Sequence, residues 1–132
     1  MTTVASSGSC LICGRNNPIG IHAEFLPAEG GVQCIVKPGK HFQGYDGILH
    51  GGIVAALMDD GMCYAVTLDG PPVVTAELQI RYKAPVPIDR QLVVTASRLE
   101  SRRNLFCCKA EISLDGKILA SATGKFIAVE RR

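Results

Sequence analysis

The chain has 132 residues, no tryptophan, 20% charged residues and a formal charge of +2. That length predicts a single domain over residues 1–132 with a real core; the weak, scattered charge argues against a nucleic-acid partner, and the low charged fraction suggests that another subunit covers part of the surface. No stretch reaches the ~18 uninterrupted apolar residues of a membrane span, and the opening MTTVASSGSC has neither a basic start nor an apolar run, so the expectation is a cytoplasmic protein with no membrane partner.

Residues 1–9 are small and polar and read as a frayed tail. CLICGRNNPIGI follows, dense in Gly, Asn and Pro, and reads as an irregular turn-rich segment. Its Cys10 and Cys13 form a C-x-x-C, but a structural zinc needs two more ligands, and Cys34, His22 and His41 lie at irregular spacings. The expectation is therefore an ordinary turn, with no metal and no cofactor. The six cysteines read as reduced thiols, with Cys63, Cys107 and Cys108 acting as small hydrophobes within apolar segments. IHAEFLP and GVQCIVKP predict short strands on either side of the turn AEGG, and GKHFQGYDG is a loop.

GILHGGIVAALMDDGMCYAV, residues 47–66, predicts a buried helix, apolar nearly all round, with Asp59 and Asp60 in its middle. Beyond it the period changes to two. In VVTAELQIRYKAPV, Val74, Ala76, Leu78, Ile80 and Tyr82 alternate with Thr75, Glu77, Gln79, Arg81 and Lys83, a strand with one wet face. RQLVVTASRLESR and NLFCCKAEISL repeat the pattern, and Asp115-Gly116 predicts a hairpin turn into KILASATGKFIAVE. One or two short strands, one helix and four long antiparallel strands indicate an α+β fold in which the sheet wraps on the helix.

HGG at the helix start leaves backbone N–H groups uncovered, with the positive end of the helix dipole behind them. Such donors suit a developing oxyanion, although two glycines equally suit close packing against a strand. His50 suits hydrogen bonding that fixes the loop. Asp59 lies nine residues on, hence ~13.5 Å along the helix and roughly 180° round it. One helix cannot bring both ends to a single atom, whereas two antiparallel copies about a two-fold axis can, which predicts an isologous dimer with a shared site. A hydrogen-bonded structural carboxylate, or an exposed one at a sheet edge, is the alternative for Asp59. Asp60, about 100° round the helix, is expected to make a structural or interface hydrogen bond.

Taken in order, CLICGRNNPIGI, GILHGGIVAALMDD and VVTAELQIRYKAPVP resemble the hotdog-fold acyl-CoA thioesterases of the phenylacetate-degradation, or PaaI-like, type. The resemblance implies a hotdog fold, a curved antiparallel sheet of five or six strands wrapped around one long central helix. It further implies homodimers joined edge to edge, often paired into homotetramers, that hydrolyse a small to medium acyl- or aryl-acyl-CoA to free acid and CoA. Asp59 then matches the general base or nucleophile, Gly51 the glycine whose N–H polarises the thioester carbonyl, His50 the loop-ordering histidine and Thr75 the Ser or Thr near the attacking water. Several members carry an Asn ahead of HGG. Here FQGYDGILHGG offers Gln43 in its place. Gly52 is a further candidate to contact the substrate, and Arg81, Lys83, Arg102 and Arg103 are candidates to meet the CoA phosphates. Leu57, Met58, Met62 and Tyr64 are candidates to line an acyl pocket, each also suiting simple core. Two other functions stay open: a non-catalytic acyl-CoA-binding protein, expected to lack the acid, and an acyl-CoA hydratase or dehydratase, which needs a catalytic His-Asp or His-Glu pair.

Overall fold

The computed structural model describes residues 3–5 and 7–132. Its elements in chain order are β1 (Thr3–Val4), β2 (Leu26–Ala28), β3 (Gly31–Val36), α1 (Gly51–Thr67), β4 (Val73–Tyr82), β5 (Leu92–Arg102), β6 (Leu105–Leu114), β7 (Lys117–Ala128) and β8 (Glu130–Arg131). Six strands form one antiparallel sheet in the order β2-β3-β5-β6-β7-β4, curved around α1. This is the hotdog arrangement, α+β with a single long helix.

The helix resolves the puzzle of a segment that looks apolar all round. Val54, Leu57, Met58, Gly61, Met62, Ala65 and Val66 are buried, a clean i, i+3, i+4, i+7 stripe against the sheet. The opposite stripe, with Ala55, Ala56, Asp59, Asp60, Cys63 and Tyr64, is only half-buried. Gly61 stands in the helix interior because a Cβ there would come within 2.9 Å of the Phe25 ring, so the glycine sets how closely the helix packs on the segment leading into β2. Leu92, Val94, Ile112 and Phe126 fill the sheet side of the same core.

Asp115 and Gly116 both take positive φ, 50° and 82°, as the tight hairpin between β6 and β7 requires. Three expectations need correction. IHAEFLP yields only the short β2, because His22 takes φ 61° and breaks the extended run, while the N–H groups of Ile21 and Ala23 bond back to Leu11 and Ile12. Thr3 and Val4, placed by composition in a frayed tail, pair in parallel with Glu130 and Arg131; Met1, Thr2 and Ser6 lie outside the described residues. The strict alternation along β4 also fails. A register shift between Thr75 and Glu77 inserts a bulge at Ala76, after which the strand's two faces exchange parity.

Candidate active site

The start of α1 is built by the loop before it. Leu49 N–H donates to the Val86 carbonyl at 2.7 Å and His50 N–H to that of Phe42 at 2.9 Å, which pins the approach to the helix between two backbone segments. His50 is the N-cap: its Nδ1 accepts the Gly52 N–H at 2.8 Å, so this nitrogen carries no proton and the histidine is fixed in orientation. With Gly52 engaged and the Ile53 and Val54 N–H groups both on the His50 carbonyl, the Gly51 N–H is left without a partner among the described residues. The Gly51 carbonyl in turn accepts the Tyr82 hydroxyl at 2.6 Å. Gln43 folds over the loop, its Oε1 accepting the Gly47 N–H at 3.0 Å.

A cleft of about 710 Å³ opens at this helix end, lined by residues that include Tyr45, His50, Gly51, Tyr82, Lys83 and Pro85. Its size is in the range of small-molecule sites. Tyr82 escaped the sequence reading because nothing in an alternating strand marks which tyrosine will reach a helix terminus. Lys83 is the one sequence candidate for CoA contact that lines this cleft. Arg81 is on the opposite side of β4, in a groove with Gln79, Ser121 and Thr123. Arg102 ends β5 and Arg103 lies in the turn to β6, at the same end of the sheet as Val74 but with β6 and β7 between them and β4. With the bulge taking up one residue, that end lies roughly 23 Å along the strand from Tyr82, at 3.3 Å per ladder step. Leu57, Met58 and Met62 are fully buried core residues and none lines the cleft. Tyr64 stacks on Phe25 with ring centroids 5.4 Å apart.

Asp59 sits midway along α1, outside the lining of that cleft. Its Oδ1 accepts the Thr75 hydroxyl at 2.7 Å. Burial raises its proton affinity above that of an ordinary carboxyl group, and the Thr75 bond lowers it in part. Within one chain, therefore, the Gly51 end and the Asp59–Thr75 pair are separate.

Asp60 faces elsewhere. Its carboxyl group meets Cys10 and Cys13, the ligand atoms of all three lying within 4.8 Å of one another. Neither Cys34, His22 nor His41 joins them. Cys13, pushed up to about 12 chiefly by burial, contacts Tyr64, Cys10 and Asp60. All six cysteines are free thiols. Asp60 is also raised, by burial first and by the Asp59 charge as well, with the Cys13 thiol lowering it in part, and its Oδ2 is buried with no hydrogen-bond partner within the single chain. Sequence spacing alone offered no way to pair residues 10 and 13 with residue 60.

Comparison with known proteins is decisive for the family. The thioesterase superfamily model matches residues 46–120, from the loop before α1 to within β7. The chain belongs to the thioesterase superfamily. It is 37% identical over 102 residues to acyl-coenzyme A thioesterase THEM4 of Bos taurus, covering 74% of this chain and 40% of that protein. It is 29% identical over 108 residues to acyl-coenzyme A thioesterase THEM5 of Homo sapiens, covering 80% and 44%. The chain thus spans less than half the length of these curated relatives. Acyl-coenzyme A thioesterase 13 of Homo sapiens is 34% identical over 106 residues, with 79% of this chain and 71% of that protein covered. Among solved structures, zebra fish thioesterase superfamily member 2 superposes with a TM-score of 0.75 at 26% identity, covering 86% of this chain and 89% of that chain.

Proposed function

We propose that this thioesterase superfamily member hydrolyses acyl-coenzyme A thioesters of small to medium acyl or aryl-acyl groups, as a dimer of the PaaI-like type with two shared sites. The observation that carries this is Asp59, a carboxylate on the half-buried stripe of α1 held by the Thr75 hydroxyl at 2.7 Å, in a chain whose relatives include proteins named acyl-coenzyme A thioesterases.

Hydrolysis needs an activated water, a polarised carbonyl and a stabilised oxyanion; a thiolate leaves without much help. Asp59 takes a proton from water as the oxygen adds to the thioester carbon, and Thr75 orients that carboxylate. The resulting oxyanion accepts the Gly51 N–H of the partner helix, whose dipole adds favourable charge. Collapse of the intermediate breaks the C–S bond, and the proton held by Asp59 passes to the departing sulfur, giving free acid and CoA thiol. His50 keeps the donor in place by capping, Gly52 keeps the approach open, and Gln43 orders the loop through Gly47, its amide NH₂ being the group left to donate towards substrate.

The shared site draws support from β4. It is the last strand of the sheet, and most of its length is exposed, including Leu78 and Tyr82 at 37% and 52%. A long edge with apolar side chains is normally paired or covered. Pairing two β4 strands antiparallel about a two-fold axis sets the Val74 end of each beside the Tyr82 end of the other. That brings Asp59, Arg102 and Arg103 towards the Gly51 and Lys83 end of the second copy, and leaves Arg81 on the outer face. A dimer is the unit that the site needs, and a homotetramer is a pairing of such dimers.

The test is free-thiol release over a series of straight-chain acyl-CoAs and aryl-acyl-CoAs. Turnover on at least one class, with saturable dependence on substrate, is expected. Tight binding across the series with no thiol release contradicts the proposal and makes the chain a binding protein.

A further inference from the structure

We propose that Cys10, Cys13 and Asp60 form a binding site for a thiophilic divalent cation of the zinc class, clamping the amino-terminal segment to α1. Three features converge. The two sulfurs and a carboxylate oxygen lie within 4.8 Å of one another. In a tetrahedral zinc site with bonds of 2.0–2.3 Å, neighbouring ligand atoms sit about 3.3–3.8 Å apart, so only a small contraction is needed. Second, the Cys-x-x-Cys-Gly turn already directs backbone N–H groups at a sulfur: Ile12 donates to Cys10 Sγ at 3.4 Å and Cys13 at 3.5 Å. Donors so placed stabilise a thiolate and hold its lone pairs in direction. Third, Asp60 Oδ2 is inaccessible to solvent and has no hydrogen-bond partner. A buried carboxylate oxygen left bare is costly, and a cation bound between it and the two sulfurs removes that cost.

The residues also have a route to solvent. Cys10, Cys13 and Asp60 line a cleft together with Cys63, Tyr64, Thr67 and Arg131. Cys63 follows Asp60 by three residues and so shares its side of the helix, but its sulfur falls outside the 4.8 Å group. The fourth coordination position therefore belongs to solvent. Two soft sulfur ligands with one carboxylate favour zinc or cobalt over calcium or magnesium, which take oxygen ligands. The clamp joins residues 10–13 to the helix position next to Asp59 but does not touch the acyl-CoA cleft at Gly51. With solvent in the fourth position it differs from a closed four-ligand structural zinc site, and its occupancy is tested independently of the hydrolytic assignment.

The test uses the full chain, stripped with a chelator under a non-thiol reductant, checked for folding by circular dichroism and titrated with Co²⁺ alone. Saturation at one equivalent is expected, with thiolate-to-cobalt charge transfer in the near ultraviolet and the intense visible bands of tetrahedral cobalt, both displaced by Zn²⁺. Asp60→Asn keeps both thiols and is expected to bind at least about tenfold more weakly, as loss of a ligand demands. The Cys10→Ser/Cys13→Ser variant is expected to lose the charge-transfer band. Folded wild-type protein without that band, or Asp60→Asn binding as tightly as wild type, overturns the proposal.

Discussion

Thr75 and Asp59 are 16 residues apart in the chain, yet the Thr75 hydroxyl donates to Asp59 Oδ1 at 2.7 Å. The contact exists because β4 bulges between Thr75 and Glu77. Without the bulge, Thr75 and Tyr82 would point to opposite faces of the strand, since successive side chains alternate. With it, both reach α1, one at Asp59 and one at the Gly51 carbonyl.

Thr75 supplies the interaction that favours ionised Asp59, against burial, which favours the protonated form. Thr75→Ala is therefore expected to raise the proton affinity of Asp59 further. The acidic limb of the kcat/KM profile should move to higher pH, while Thr75→Ser leaves it in place. The check is the profile of both variants in one buffer series; an unmoved limb in Thr75→Ala means that Thr75 does not act through Asp59.

The raised carboxyl groups also fix a sign for stability. Asp59 and Asp60 hold their protons more tightly folded than unfolded, so the folded state binds more protons between the ordinary value of 3.8 and the raised ones. Over that window their contribution to stability declines as pH rises. In metal-free protein, Asp60→Asn is expected to melt higher than wild type at neutral pH, with the gap closing as pH falls towards 3.8. Bound zinc should invert the order, because the wild-type carboxylate is then a ligand. Melting temperatures of both proteins across pH, with chelator and with Zn²⁺, provide the measurement.

Much of this was legible in the chain and some was not, for physical reasons. The period-two runs, the Asp115-Gly116 turn and the apolar helix specify the sheet and its order of elements because they depend on local spacing. HGG located a helix start because glycines there leave donors uncovered. The bulge at Ala76 was invisible, since an extra residue changes which face a side chain takes without changing composition. Leu57, Met58 and Met62 were ambiguous because core and pocket wall use the same residue types; packing against β5, β6 and β7 assigned them to the core. Asp60 with Cys10 and Cys13 was hidden by a separation of about fifty residues, which only the tertiary fold closes.

The two glycines at the helix start should respond differently to alanine. A Cβ on Gly51 meets the Tyr82 hydroxyl at 3.6 Å, an ordinary contact, whereas one on Gly52 meets His50 Nδ1 at 3.0 Å. Gly51→Ala is expected to keep or raise Tm, since alanine is the better helix former by up to ~1 kcal/mol. It should nonetheless raise KM or lower kcat by crowding the carbonyl's approach. Gly52→Ala should displace the His50 cap and lose about 0.5–2 kcal/mol of capping, offset in part by helix propensity. Thermal melts and steady-state kinetics on the pair decide the matter; a Gly51→Ala enzyme with unchanged kinetics shows that Gly51 is remote from substrate.

For the β4 edge, Leu78→Arg places a charge on a strand residue that is 37% exposed in one chain. At that exposure the single chain is expected to keep its fold. Two β4 strands paired about a two-fold axis do not tolerate the charge, because like charges meet across the axis. The expected result is a folded monomer by light scattering with kcat/KM reduced by about 10² or more, since half of each site is gone. A fully active Leu78→Arg monomer contradicts the shared site.

The most direct measurement is kcat for Asp59→Asn on the best acyl-CoA found, alongside substrate affinity by calorimetry. Asn keeps the shape and accepts the Thr75 hydroxyl but cannot take a proton from water. A fall in kcat of about 10²–10⁴, with affinity changed little, is the result predicted for loss of a general base. Near wild-type kcat in Asp59→Asn would make Asp59 a structural carboxylate and contradict the mechanism.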